Sequence, residues 1–217
     1  GEKAVYGGGK FTATAWRAKD STGAYGIRLW LEGEKPVRQG LIQLGNYILE
    51  FQGPKPTEDE FKKLYVVLPK IEQSPLPNLT DFLPKDPVPG SARYVLGPAA
   101  LAKFVPGIPP SVAGFRFGTE GAVLTTKTKD GDLRLVVFSF PSHQIARTQL
   151  TEFQKLPGLV VKRDGPLIAA AVNPPSPDAA EVVLAKVRYR SQITWNERTP
   201  SQQAQSVGSM LLSIFSL

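Results

Sequence analysis

The chain offers little chemistry to build a catalytic site from: in 217 residues it has one histidine, His143, and no cysteine. Disulfides and thiolate metal sites are therefore excluded. One histidine cannot make a histidine-rich metal site, and no Ser-His-Asp pattern surrounds it. A histidine acting as general base wants a carboxylate to orient it, and no acidic residue lies within five positions of His143. It follows Ser142 and reads as an exposed residue at a helix start. Asp20 and Asp164 occupy turn or cap positions, where aspartate bonds to nearby backbone, and Asp81, Asp86, Asp130 and Asp132 fall in loops. No two carboxylates share a predicted face, so paired-carboxylate hydrolysis has no support. The glycine runs at 7–9 and 118–121 lack the Lys-Ser/Thr of a phosphate loop. Five residues remain as ligand-binding candidates: Arg17, Asp20, Arg93, Tyr94 and Trp195. The first four, with His143, are also the dispersed set from which an enzyme site would have to assemble. No metal site and no cofactor is expected.

Charge and aromatic content narrow the partners. The net charge is +7, but the cations are scattered, and Lys62, Lys63 and Lys70 lie beside Glu58, Asp59 and Glu60. Nucleic-acid binding would need a contiguous basic stripe, so nucleic acid is not expected as a partner. An anionic polymer is an alternative motivated by net charge alone. Trp16, Tyr25, Trp30, Phe115, Phe117 and Trp195 could stack on a ligand, but read better as core or half-buried packing.

The elements that would position these residues occur in two similar series. Residues 11–19 read as a strand, and Ala24, Ile27 and Leu31 recur at helical spacing over 21–32 behind a cap at Asp20 or Ser21. Strands at 37–44 and 47–51 flank Gly45-Asn46, two residues that tolerate the positive φ of a tight hairpin. Thr57 to Glu60 forms a capping box, and Phe61, Leu64, Leu68 and Ile71 continue as an amphipathic helix. The second series has strands at 122–128 and 133–140, then a helix carrying Ala146, Leu150, Phe153 and Leu156. Strands at 159–162 and 167–172 and a helix opened by Ser176-Pro177 follow. An extra hairpin strand before residue 11 makes each series ββαββα.

The expected fold is therefore α+β, with internally duplicated ββαββα units, antiparallel sheet and helices packed on one face. The expected division is a first repeat at 1–73, a proline-rich connecting segment at 74–118, a second repeat at 119–197, and a polar linker with an apolar stub at 198–217. The connecting segment is expected to drape over the repeats or cross between them, with 74–89 irregular, a strand at 91–96 and a helix at 99–105. Residues 187–193 alternate as a closing strand should. The apolar run at 207–217 is shorter than the roughly 20 residues of a membrane span, so it reads as a docking helix or as the first turns of a span.

Asp20 to Tyr25 (DSTGAY), residues 89–98 (PGSARYVLGP), Gln144 to Arg147 (QIAR) and Ile193 to Glu197 (ITWNE) together resemble the signature stretches of a bacterial family, domain of unknown function 6599 (DUF6599). The resemblance runs over about residues 6–197. The family has no established activity, so the resemblance transfers no active site. It implies an export signal before the domain and a hydrophobic membrane segment after it. The expected function is a non-catalytic, extracytoplasmic binding or interaction module, membrane-anchored in the full-length protein. Its partner would be a protein or a small-molecule ligand, seated between the repeats or under the proline-rich segment.

Overall fold

The structure is a computed structural model that describes residues 2–6, 11–34, 41–54 and 56–190. It is an α+β protein with two antiparallel sheets. The first half runs β1 (Glu2–Tyr6), β2 (Phe11–Arg17), α1 (Ser21–Glu34), β3 (Leu41–Leu44), β4 (Tyr47–Gln52) and α2 (Glu58–Val67). Then come β5 (Arg93–Val95), α3 (Pro98–Phe104) and α4 (Pro110–Ala113). The second half runs β6 (Glu120–Thr128), β7 (Gly131–Ser139), α5 (His143–Phe153), β8 (Leu159–Asp164), β9 (Leu167–Val172) and α6 (Pro177–Lys186). The four-stranded sheet has the order β1-β2-β4-β3 and the five-stranded sheet the order β5-β6-β7-β9-β8.

Local chemistry repeats between the halves. Asp20 Oδ1 accepts from the Gly23 N–H (2.7 Å) at the start of α1, and Ser142 Oγ accepts from the Ile145 N–H (3.2 Å) at the start of α5. Thr57 and Ser176 cap α2 and α6 in the same way, Thr57 with the reciprocal Glu60 of a capping box. Both inner hairpins turn through two residues with glycine first, Gly45 (φ 56°) and Gly165 (φ 60°). Only the first position of the Gly45-Asn46 turn needs positive φ, so Asn46 is left for another task. Ala18 N–H donates to Asn46 O (2.8 Å), and Phe140 N–H donates to Pro166 O (3.0 Å), tying each hairpin to the strand–helix junction beside it.

The five-stranded sheet corrects the expectation of helices on one face. Leu133, Leu135 and Val137 of β7 join a core with Ala179, Ala180, Val183 and Leu184 of α6. Val136 and Phe138 of the same strand face Ala146 and Phe153 of α5, together with Leu101 of α3 and Val112 of α4. The physical reason is the uninterrupted apolar run from Leu135 to Phe138. With side chains alternating, such a run needs cover on both sides.

Three boundaries also differ from the expectation. The helix carrying Phe61 stops at Val67 rather than reaching Ile71, because Pro69 disfavours helical backbone at Leu68 before it. Residues 187–190 form no strand; Tyr189 instead donates its N–H to Asp164 Oδ2 (3.3 Å) and packs on Phe82. Within 74–89, a 3₁₀ turn at Asn78–Phe82 lies against β6 and places Leu79 in the core, and Pro87 bridges to Thr126. The connecting segment thus crosses the second sheet and supplies its edge strand, β5. The closing residues of the expected second repeat, the polar linker, the apolar stub, Gly7–Gly9 and Trp195 lie outside the described residues.

Candidate functional site

The two halves meet along α1 and β5. Gly26 lets α1 approach closely: a Cβ there would lie 3.2 Å from Leu96 Cδ1. Leu29 of α1 enters the core of the five-stranded sheet, and Tyr25 stacks edge-on against Tyr94 of β5 (centroids 5.4 Å, 73°). Beside this seam α1 and the β5–α3 corner diverge and leave an open groove of 460 Å³. Its wall on α1 is Ile27, Trp30 and Leu31; its opposite wall is Leu96, Pro98 and Ala100. Ile27 and Leu31 belong to the apolar spacing from which the sequence predicts the helix. Periodicity shows that a face is apolar, not that something covers it.

Polar chemistry in the groove is sparse. Tyr94 is buried and donates its hydroxyl to Glu120. Burial, reinforced by that bond and the Glu120 charge, holds the Tyr94 phenol protonated far above the usual tyrosine range. Burial likewise raises Tyr25, with Arg28 opposing. Lys103 Nζ sits 4.1 Å from the Trp30 ring centroid, placing a cation at the groove's margin. A larger hollow of 560 Å³ lies between α1, β3 and the chain after α2. Its polar groups are already engaged: the Ser21 hydroxyl with Glu72 and Ser74 backbone, Gln43 with Ser21 and Gly45 carbonyls, Arg28 with Glu32. The groove is therefore the better candidate for a ligand.

The structure separates the residues nominated from sequence. Arg17 is exposed at the end of β2. Asp20 is committed to capping α1, although Gly23, whose N–H it accepts, lines the groove. Tyr94 lies in the groove, while its neighbour Arg93 points to the other face of β5 and lines a different cavity with Val123 and Arg134. His143 is exposed, and its ring lies edge-to-face with Tyr189 (5.7 Å). Among the described residues no three His, Cys, Asp or Glu side chains are grouped as a metal site would need.

Sequence reading missed Glu120, Trp30 as a groove residue, Arg134 and Asn46. Asn46 is buried; its Nδ2 donates to the Ala18 and Lys70 carbonyls (3.4 Å each) and its Oδ1 accepts from the Glu72 N–H (2.9 Å). Arg134 did carry a signal, a lone arginine between Leu133 and Leu135 in an apolar strand. The Tyr94–Glu120 bond carried none, since it depends on which strands become neighbours. Among the described residues no helix is long and apolar enough to cross a membrane. No family model matches the chain, and neither a curated protein nor a solved structure shows significant similarity to it.

Proposed function

We propose that this chain is a non-catalytic binding module, of the DUF6599 kind, that takes an apolar peptide segment with an acidic flank into the α1–β5–α3 groove. The observation that carries this reading is the groove itself: an open, almost wholly apolar channel built by both halves, with Leu96 exposed along it. The acidic flank follows from the net charge of +7. The scatter of Arg17, Asp20, Arg93 and His143 supports binding over catalysis, because a reaction needs such groups to converge.

The test uses an apolar anion and two peptides. Anilinonaphthalene sulfonate should bind saturably with enhanced fluorescence. A leucine- and phenylalanine-containing peptide with aspartate flanks should displace it, and the same peptide with lysine flanks should not. Leu96→Asp, at an exposed position, should weaken both interactions about tenfold while leaving the fold intact. Equal binding of the two peptides, or an unaffected Leu96→Asp variant, would overturn the reading.

Two further proposals concern location and descent. The run at 207–217 and the family resemblance support an extracytoplasmic protein tethered to a bacterial membrane; recovery of the full-length protein from the cytosolic fraction would refute it. The shared element order, strand order, caps and glycine turns support descent of both halves from one ββαββα unit. Superposition should then align Ala24 with Ala146 and Phe61 with Ala180; a shifted helix register would refute duplication.

A further inference from the structure

The other face of β5 carries a second cavity, of 290 Å³, walled by Ser91, Arg93, Phe104, Val123, Thr125 and Arg134. Strand register builds it: Arg93 of β5 pairs with Val123 of β6, and Thr125 of β6 pairs with Arg134 of β7. Two guanidinium groups are thus brought to one hollow from the strands on either side of β6. Among the described residues no carboxylate lines it.

Neither arginine makes an ion pair among the described residues. Arg93 Nη1 donates to the Gly90 and Ala92 carbonyls (2.7 and 2.6 Å), and Arg134 Nη1 donates to the Phe104 carbonyl (3.3 Å). The acid that acts on Arg93 from a distance is Glu32, which is itself paired with Arg28 at 2.7 Å. Partial burial presses the Arg93 pKa downward, with the Glu32 charge opposing. The Ser91 hydroxyl is held by the Val88 carbonyl and the Thr125 N–H, whereas the Thr125 hydroxyl makes no hydrogen bond to the described residues. The Phe104 ring, 5.8 Å from Arg93 Cζ, closes one side.

We propose that this cavity binds the dianion of a phosphate monoester. Arginine stays charged at any physiological pH, so two unpaired guanidiniums in a half-enclosed hollow call for an anion rather than neutralising themselves. Two positive charges without an intervening acid match a dianion better than a single carboxylate. Guanidinium forks fit phosphate oxygens in bidentate fashion, and the Thr125 hydroxyl supplies a further donor. The site is separate from the apolar groove, since successive residues of β5 aim at opposite faces.

The test measures thermal unfolding and calorimetric binding with inorganic phosphate and glycerol phosphate, at ionic strength held constant with chloride. A second arm sediments the protein with phosphatidylcholine vesicles with and without phosphatidic acid. Glycerol phosphate should raise the melting temperature saturably. Arg134→Gln should weaken that binding about tenfold or more. Arg134 is exposed and makes one long hydrogen bond, so this variant keeps the fold; Arg93→Lys, which retains charge but loses the fork, should weaken binding less. Binding of glycerol phosphate without vesicle binding supports a free phosphate ester as the source. Arginine-dependent sedimentation with phosphatidic acid supports the same chemistry presented by a lipid headgroup. The proposal falls if no phosphate binds above the chloride control, or if Arg134→Gln binds as tightly as the parent. Leu96→Asp should leave phosphate binding unchanged, so failure of the groove reading and failure of this one are separately visible.

Discussion

In the four-stranded sheet, β2 turns Ala13 and Ala15 toward α2; in the five-stranded sheet, β7 turns Leu133, Leu135 and Val137 to one face and Val136 and Phe138 to the other. The strand orders β1-β2-β4-β3 and β6-β7-β9-β8 are the same, yet the burial is not. Among the described residues the first sheet's buried cluster is Ala13, Leu49, Phe51 and Leu64, while the second sheet is sandwiched between two larger clusters. One backbone plan therefore supports very different amounts of apolar burial, and side-chain volume decides which sheet dominates stability. The first half compensates by leaning: α1 inserts Leu29 into the second core, and Asn46 ties the β3–β4 turn to the chain on both sides of it.

The largest expected effect tests that imbalance. Phe138→Ala should cost about 3–5 kcal/mol in chemical denaturation, because Phe138 is fully buried and packs on Phe153 at 5.3 Å between centroids. Phe51→Ala in the first sheet should cost distinctly less. Equal losses would break the comparison. Asn46→Ala comes next, at about 1–3 kcal/mol, since it leaves the Glu72 N–H and two carbonyls near it without their partner. The corresponding residue of the second half, Pro166, has no side-chain polar group to lose, so this stabilisation belongs to the first half alone.

The seam between the halves should show itself at high pH. Tyr94 and Tyr25 both have raised phenol pKa values in the fold, whereas in the unfolded chain a tyrosine ionises near 10. A raised folded pKa means that the associated stability is complete below about pH 10 and is lost as pH climbs beyond it. Ultraviolet titration should find Tyr94 ionising only with unfolding and Tyr25 ionising above the usual tyrosine range, and Tyr94→Phe should flatten the alkaline fall in stability. Titration of Tyr94 in the folded protein near pH 10 would contradict its burial against Glu120.

Smaller effects compare equivalent caps. Asp20→Ala and Ser142→Ala should each cost about 1 kcal/mol, as should Ser176→Ala. A much larger loss at Asp20 would indicate that it does more than cap α1. His143→Ala should change stability by no more than about 0.5 kcal/mol, since the side chain is exposed and its ring lies edge-to-face with Tyr189.

Local rules were legible because they act within a few residues. The Thr57–Glu60 capping box, the caps at Ser142 and Ser176, the glycine-first hairpins and the α+β class all follow from short-range hydrogen bonding and φ preference. What the sequence could not reveal depends on which distant segments become neighbours. Ile27 and Leu31 form an apolar stripe in either case, but only the placement of β5 beside α1 makes that stripe a groove wall instead of core. Arg93 and Tyr94 are adjacent in the chain, and strand alternation sends one to a cationic cavity and the other to the apolar groove. Arg93 and Arg134 stand far apart in sequence and meet only because β6 lies between their strands. Residue type and spacing determined the elements, and strand register, a long-range property, decided which side chains share a site.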